Sequence, residues 1–279
     1  MRTPRSEGLR PSAAVSPRTR RLCVAVAALA LVAAVPTFFV DGVLNGPPVM
    51  NGSARGTALT MFALALPVLA VGVVTSILGS VWGRAALIGA LGYLTYNATL
   101  LVYATPFNEL FLAYVALLGL SLWSLVSALL DPLPVLSPDS RLPARGIAAF
   151  ILTVVALNAL AWLRFVVPDL GEDPPDFLAG TGLTTNPIYV QDLVVWLPAL
   201  GVVAVLLWQR RPAGIFLCGA GLFFWEIEAI GVAVDQWFGH RADPASDVAT
   251  QGGVVLFVVL AGVTLVPLVL WIRAVLSRP

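Results

Sequence analysis

A chain of 279 residues that is 59% hydrophobic, only 11% charged and +0.92 in mean hydropathy stands far from soluble domains, in which roughly 25% of residues are charged; it is an integral membrane protein. Its net charge of +1 provides no global field for nucleic acid, and one histidine, His240, with two cysteines, Cys23 and Cys218, cannot close a zinc site. No Walker loop, nucleophile elbow or dinucleotide fingerprint occurs, so soluble-type ATP or NAD chemistry is disfavoured and no cofactor or metal is expected.

Residues 1–21 form an arginine-, proline- and serine-rich tail, expected to be disordered near anionic headgroups. A membrane helix needs about 20 mostly apolar residues, and eight stretches qualify: 22–40, 57–79, 85–103, 109–130, 147–167, 189–208, 213–238 and 252–272. The fold class is therefore all-α, a polytopic bundle of eight transmembrane helices. The first stretch follows "TRR" and is read as a retained span rather than an export signal, because it is longer than a typical signal core and seven more spans follow. Two proline-bearing loops are the longest, "DPLPVLSPDSRLPARG" and "PDLGEDPPDFLAGTGLTTNP"; the second has room for one short interfacial helix around Phe177 and Leu178.

An even number of spans puts both termini on one side. Thirteen arginines fall on that side, including Arg18, Arg20, Arg21, Arg84, Arg141, Arg145, Arg210, Arg211 and Arg273, whereas only Arg55 and Arg241 fall in the opposite loops. By the positive-inside rule the termini are expected in the cytoplasm of a bacterial cell membrane. The buried cysteines are expected to be free.

An internal similarity divides the chain. "LPVLAVGVVTSILGSVWGRAALIGALGYLTYN" (66–97) and "LPALGVVAVLLWQRRPAGIFLCGAGLFFWE" (197–226) each run Leu-Pro, aliphatic span, tight arginine-bearing turn, then a glycine-rich span with aromatics. This suggests a 4+4 parallel repeat, with halves at 22–130 and 147–279 joined by a cytoplasmic linker, 131–146. Aligned with a two-residue gap, Asn97 and Glu226 are equivalent.

Polar residues inside the spans carry the functional expectation. "FFWEIEAIGVAVDQWF" (223–238) places Glu226, Glu228 and Asp235 in an otherwise apolar helix. An ionised acid at mid-bilayer costs about 2.5–3.5 kcal/mol even on insertion scales, so this helix must be enclosed by protein or one glutamate must hold a proton. At about 100° per residue Glu228 and Asp235 share a face and Glu226 points nearly the opposite way. Depth places Asn97, Asn158 and Tyr96, with Tyr93 nearby, level with Glu226, and Trp225 beside it; Glu226, Glu228, Asn97, Asn158, Tyr96 and Trp225 form a candidate binding cluster, with interhelical hydrogen bonding as the alternative role. Nearer the outer boundary, Arg164, Asp192 and Asp235 form a candidate charge network in which Arg164 pairs with one of the two acids; the alternative is that Arg164 snorkels outward.

"YLTYNATLLVYATPFNELFLAYVALLGLSLWSL" and "TTNPIYVQDLVVWLPA" resemble stretches in polytopic membrane proteins of actinobacteria that have no assigned activity; the resemblance implies a multi-pass fold and carries no catalytic residue. Three functions fit the residues. A transporter or small-molecule-binding protein with a protonatable mid-membrane acid is preferred, with the bilayer and a small-molecule or lipid substrate as partners. A membrane enzyme acting on a lipid or isoprenoid, with Glu226 or Glu228 as acid, is the second, and a non-catalytic accessory subunit the third. The chain reads more as a non-enzyme than as an enzyme.

Overall fold

The computed structural model describes residues 14–136 and 141–277. Among them the fold is all-helical, and eight helices are long and apolar enough to cross a membrane: α1 Pro17–Phe39, α2 Pro48–Ile77, α3 Val81–Tyr103, α4 Phe111–Leu130, α5 Ala144–Val166, α6 Pro187–Trp208, α7 Pro212–Ala242 and α8 Gln251–Leu276. Most of the 1–21 tail lies outside the described residues, but its last part is helical. Ser16 caps α1 by accepting from the Thr19 N–H at 3.2 Å, with Pro17 in the first turn, so α1 begins five residues before the apolar run. The long loop between α5 and α6 contains one 3₁₀ turn, Asp176–Leu178.

Enclosure is unequal. α3 has 83% of its apolar stretch buried and α7 has 56%, against 17% for α5 and for α8. α7 packs on α2, α3, α6 and α8, and α3 packs on α2, α4 and α7, so these two helices form the centre. α3 also has the lowest hydropathy of the eight. Shielded from lipid, it can substitute Gly, Ala, Thr and Tyr for the bulky aliphatics that lipid contact favours.

Features of α2–α3 recur in α6–α7 at the spacing of 131 residues that also separates Asn97 from Glu228. Both α2 and α6 contain a widened π turn, Met61–Ala65 and Asp192–Trp196, followed by Leu-Pro and a final α-helical stretch, Leu66–Ile77 and Leu197–Trp208. Both then stop in the same way. Gly79 N–H donates to Ser76 O and Ser80 N–H to Thr75 O, while Arg210 N–H donates to Leu207 O and Arg211 N–H to Leu206 O. This is the Schellman pattern, which needs a left-handed residue; Gly79 supplies φ 83° without strain, and Arg210 holds φ 56° despite its side chain.

The two helix pairs, α2–α3 and α6–α7, differ at the end of the bundle away from the arginine-rich turns, here the acidic end. There α2 runs 30 residues against 22 for α6, and α7 runs 31 against 23 for α3. The two extensions pack on each other through glycines: a Cβ at Gly52 would lie 2.5 Å from Phe238 O, and one at Gly56 would lie 2.7 Å from the Asp235 Cα. At the arginine-rich end, fully buried Arg84 donates to the Pro132, Asp131 and Ala128 carbonyls at 2.6, 2.9 and 3.2 Å. A guanidinium thus satisfies the orphan carbonyls where α4 ends. Cys23 and Cys218 are buried free thiols.

Candidate functional site

The three acids of α7 have different surroundings. Glu228 faces the bundle centre, where its Oε2 accepts from the Asn97 Nδ2 at 2.9 Å; Asn97 is buried and also donates to its own helix at Tyr93 O, 3.3 Å. Asp235, two turns further on, accepts from the Thr57 hydroxyl at 3.0 Å, and its other oxygen has no hydrogen-bond partner. Ser53 donates to the Asp235 carbonyl at 3.4 Å. Between the two acids lies Gly231, where a Cβ would meet the Tyr93 hydroxyl at 3.0 Å and the Thr60 methyl at 3.4 Å. Tyr93 is 1% exposed, and its hydroxyl faces the Thr60 side chain. α2, α3 and α7 thus enclose an aligned polar stripe: Thr57 and Asp235, then Thr60 and Tyr93, then Asn97 and Glu228.

Glu226 points elsewhere. Its Oε2 accepts from the Thr264 hydroxyl of α8 at 2.8 Å, beside an apolar cleft of about 330 Å³ lined by Ile230, Ala233, Trp237, Val254, Val258 and Ala261. Glu226 lies one turn from Ile230 and Thr264 three residues from Ala261, so this hydrogen bond lies next along both helices to the residues that line the cleft between α7 and α8.

The expected mid-membrane cluster is therefore brought together only in part. Asn97 joins Glu228 rather than Glu226. Asn158 lies on α5, which packs chiefly on α6, and its Oδ1 is buried without a partner. Trp225 is buried in the apolar core. Tyr96 belongs to a second cluster: its hydroxyl faces the Asp192 carboxyl, while its ring lies 5.8 Å from Trp196 and 5.9 Å from Phe224, which stack at 4.7 Å.

The expected ion pair of Arg164 with Asp192 or Asp235 does not form; among the described residues the one ion pair is Arg55 to Asp41, 2.7 Å. Asp192, 6% exposed, accepts from the Trp162 indole at 2.8 Å. Arg164 is exposed in the last turn of α5. A cation there gains from the helix C-terminus and can extend its stem along apolar surface, whereas entering the bundle would strip its hydration.

Sequence reasoning placed Tyr93 beside the cluster but passed over Thr57 and Thr60. The signal was present: Gly56, Thr57 and Thr60 fall within one turn of an apolar span, and glycine with hydroxyl residues marks close helix contact. Comparison with protein-family models, with curated proteins and with solved structures finds no match.

Proposed function

We propose that this protein is a membrane carrier or small-molecule-binding protein whose working group is the Glu228 carboxyl, held by Asn97 at the centre of two repeated four-helix halves. The supporting observation is the Asn97–Glu228 hydrogen bond, 2.9 Å long and 131 residues apart in sequence. That separation equals the offset of the π turns, the Leu-Pro steps and the Schellman stops, so the bond joins equivalent positions of two parallel repeats. Gly89 and Ala220 are another such pair, with the Ala220 carbonyl 2.8 Å from where a Gly89 Cβ would sit. Equivalent positions meet only near the axis relating the halves, and parallel-repeat transporters bind their substrates between halves.

Glu228 needs compensation. A bare carboxylate inside the bundle is costly, one amide donor meets a fraction of that cost, and no cation pairs with it among the described residues. A proton or a cationic substrate supplies what is missing, and exchange between the two is the elementary act of a proton-coupled carrier. In this reading the arginine-rich end faces the cytoplasm of a bacterial cell membrane.

The test is Glu228→Gln, which keeps a hydrogen-bond acceptor for Asn97 and removes the titration. In proteoliposomes under an imposed pH gradient, a panel of organic cations and neutral amphiphiles should drive proton movement through the wild type and not through the variant, with both melting at similar temperatures. Equal movement through both proteins would remove Glu228 from the mechanism.

The cleft between α7 and α8 favours a second reading, an enzyme acting on a lipid or isoprenoid with Glu226 as proton donor. Acid chemistry on such a chain gains from a second converging carboxyl, and Glu228 lies on the opposite side of α7. The carrier is preferred for that reason.

A further inference from the structure

The polar stripe has a direction. Asp235 lies toward the acidic end of the bundle, Tyr93 one turn deeper and Glu228 deeper still. Below Glu228, toward the arginine-rich end, the interior is closed: Leu87, Leu91, Phe216, Cys218 and Leu222 are fully buried, and a Cβ at Gly89 would lie 2.6 Å from the Phe223 Cβ and 2.8 Å from the Phe224 nitrogen. We infer that Asp235 and Tyr93 form a proton path linking Glu228 to the acidic end, beneath the close contact of Gly52 with the Phe238 backbone. This rests on the reading of Glu228 given above.

Three observations carry it. Glu228, Gly231 and Asp235 lie on one face of α7, at intervals of about 4.5 and 6 Å along the axis at 1.5 Å per residue. The Tyr93 hydroxyl lies against the middle position because Gly231 has no side chain, and a hydroxyl both donates and accepts. Asp235 Oδ1, lying against Gly56 of α2, has no hydrogen-bond partner, and the Tyr93 hydroxyl has only the Thr60 side chain facing it, although both are enclosed. An unpaired buried polar atom costs about 1–3 kcal/mol, and a group that must change partners during transfer accounts for it.

A shared metal chelate does not suit this spacing. Hard cations take oxygen ligands at about 2.0–2.6 Å from one centre, and acids two helical turns apart, separated by roughly 10 Å along the axis, do not converge on one. Hydrogen-bonded transfer does suit it, since the hydroxyl at the Gly231 position divides the distance between the acids into two shorter steps. A proton from water at the acidic end adds to the Asp235 carboxylate. The Asp235 O–H then breaks as its proton bonds to the Tyr93 oxygen, while the former Tyr93 O–H breaks and its proton bonds to the Glu228 carboxylate. Asp235 is left ionised for the next proton, and tyrosine is regenerated. The other titratable groups near Glu228 are Tyr96 of α3 and Asp192 of α6. Glu226 lies across α7 toward α8, and α2 contributes only Thr57 and Thr60 to the stripe.

The experiment follows the carbonyl stretch of protonated carboxyl groups by infrared spectroscopy of the full chain in liposomes after a rapid change from H₂O to D₂O. Glu228→Gln identifies the Glu228 band by its loss. Tyr93→Phe removes the hydroxyl from an otherwise unchanged ring, and Asp235→Asn leaves an acceptor for Thr57. Each should slow exchange of the Glu228 band at least tenfold, whereas Glu109→Gln, at an exposed loop position, should not. Exchange at the wild-type rate in both Tyr93→Phe and Asp235→Asn would overturn the path and leave Glu228 as the working group. Absence of any band lost in Glu228→Gln would instead overturn the reading of Glu228, and the path with it.

Discussion

Glu226 and Glu228 are two residues apart on one helix and are held in different ways. Glu228 faces α3, is anchored by a buried amide and adjoins glycines where backbones nearly touch. Glu226 faces α8, takes one hydroxyl from Thr264 and ends a cleft walled by apolar side chains. The side of a helix on which an acid lies decides its partners more than its depth does: one side meets the central helices α2 and α3, the other a peripheral helix that is 17% buried.

The comparison can be broken first at the glycines. Gly89→Val would drive a side chain into the α7 backbone, where even a Cβ is 2.6–2.8 Å from its neighbours, whereas Gly262 of α8 has nothing within 4 Å. Gly89→Val should cost more than about 3 kcal/mol, and Gly262→Ala should be neutral or slightly stabilising; thermal unfolding in detergent reads both. Equal effects would mean that the centre is not where the backbones make it appear. Next come the acids' partners. Asn97→Leu leaves Glu228 without its donor and should destabilise by about 1–2 kcal/mol, while Thr264→Val, acting on a half-buried acid, should cost about 0.5 kcal/mol. Double-mutant cycles, Asn97 with Glu228 and Thr264 with Glu226, sharpen the contrast, and a larger coupling for the second pair would reverse it. The smallest effect tests the equivalence of the halves. Arg210 holds the left-handed position that Gly79 fills in the first half, so Arg210→Gly should raise stability by up to about 1 kcal/mol; a loss would show that the Arg210 side chain is needed where it is.

Much of the fold was legible because the bilayer simplifies the code. Span number follows from length and hydropathy, and the eight expected stretches each lie largely within one of the eight helices. Their ends were less legible. "NGSARGT" at 51–57 reads as loop by polarity, yet it is the first part of α2, because its glycines let α2 press against α7 and its polar side chains meet Asp235. The site was half legible. The acids stood out by their cost, but the two-residue gap assigned Asn97 to Glu226. Two residues are about 200° of helix, so that small shift moved the partner to the opposite face. Without the gap, position 97 falls on position 228, as the hydrogen bond has it.

The meeting of Asn97 with Glu228 has a historical consequence. Were the two halves separate identical chains, a residue on the twofold axis would face its own copy, and the choice would be two repelling carboxylates or two amides with nothing to ionise. An amide opposite a carboxyl is closed to a homodimer. In the repeat reading proposed above, it opens once both halves lie on one polypeptide and each can mutate alone, and this one bond would then be a reason for a fused arrangement to persist.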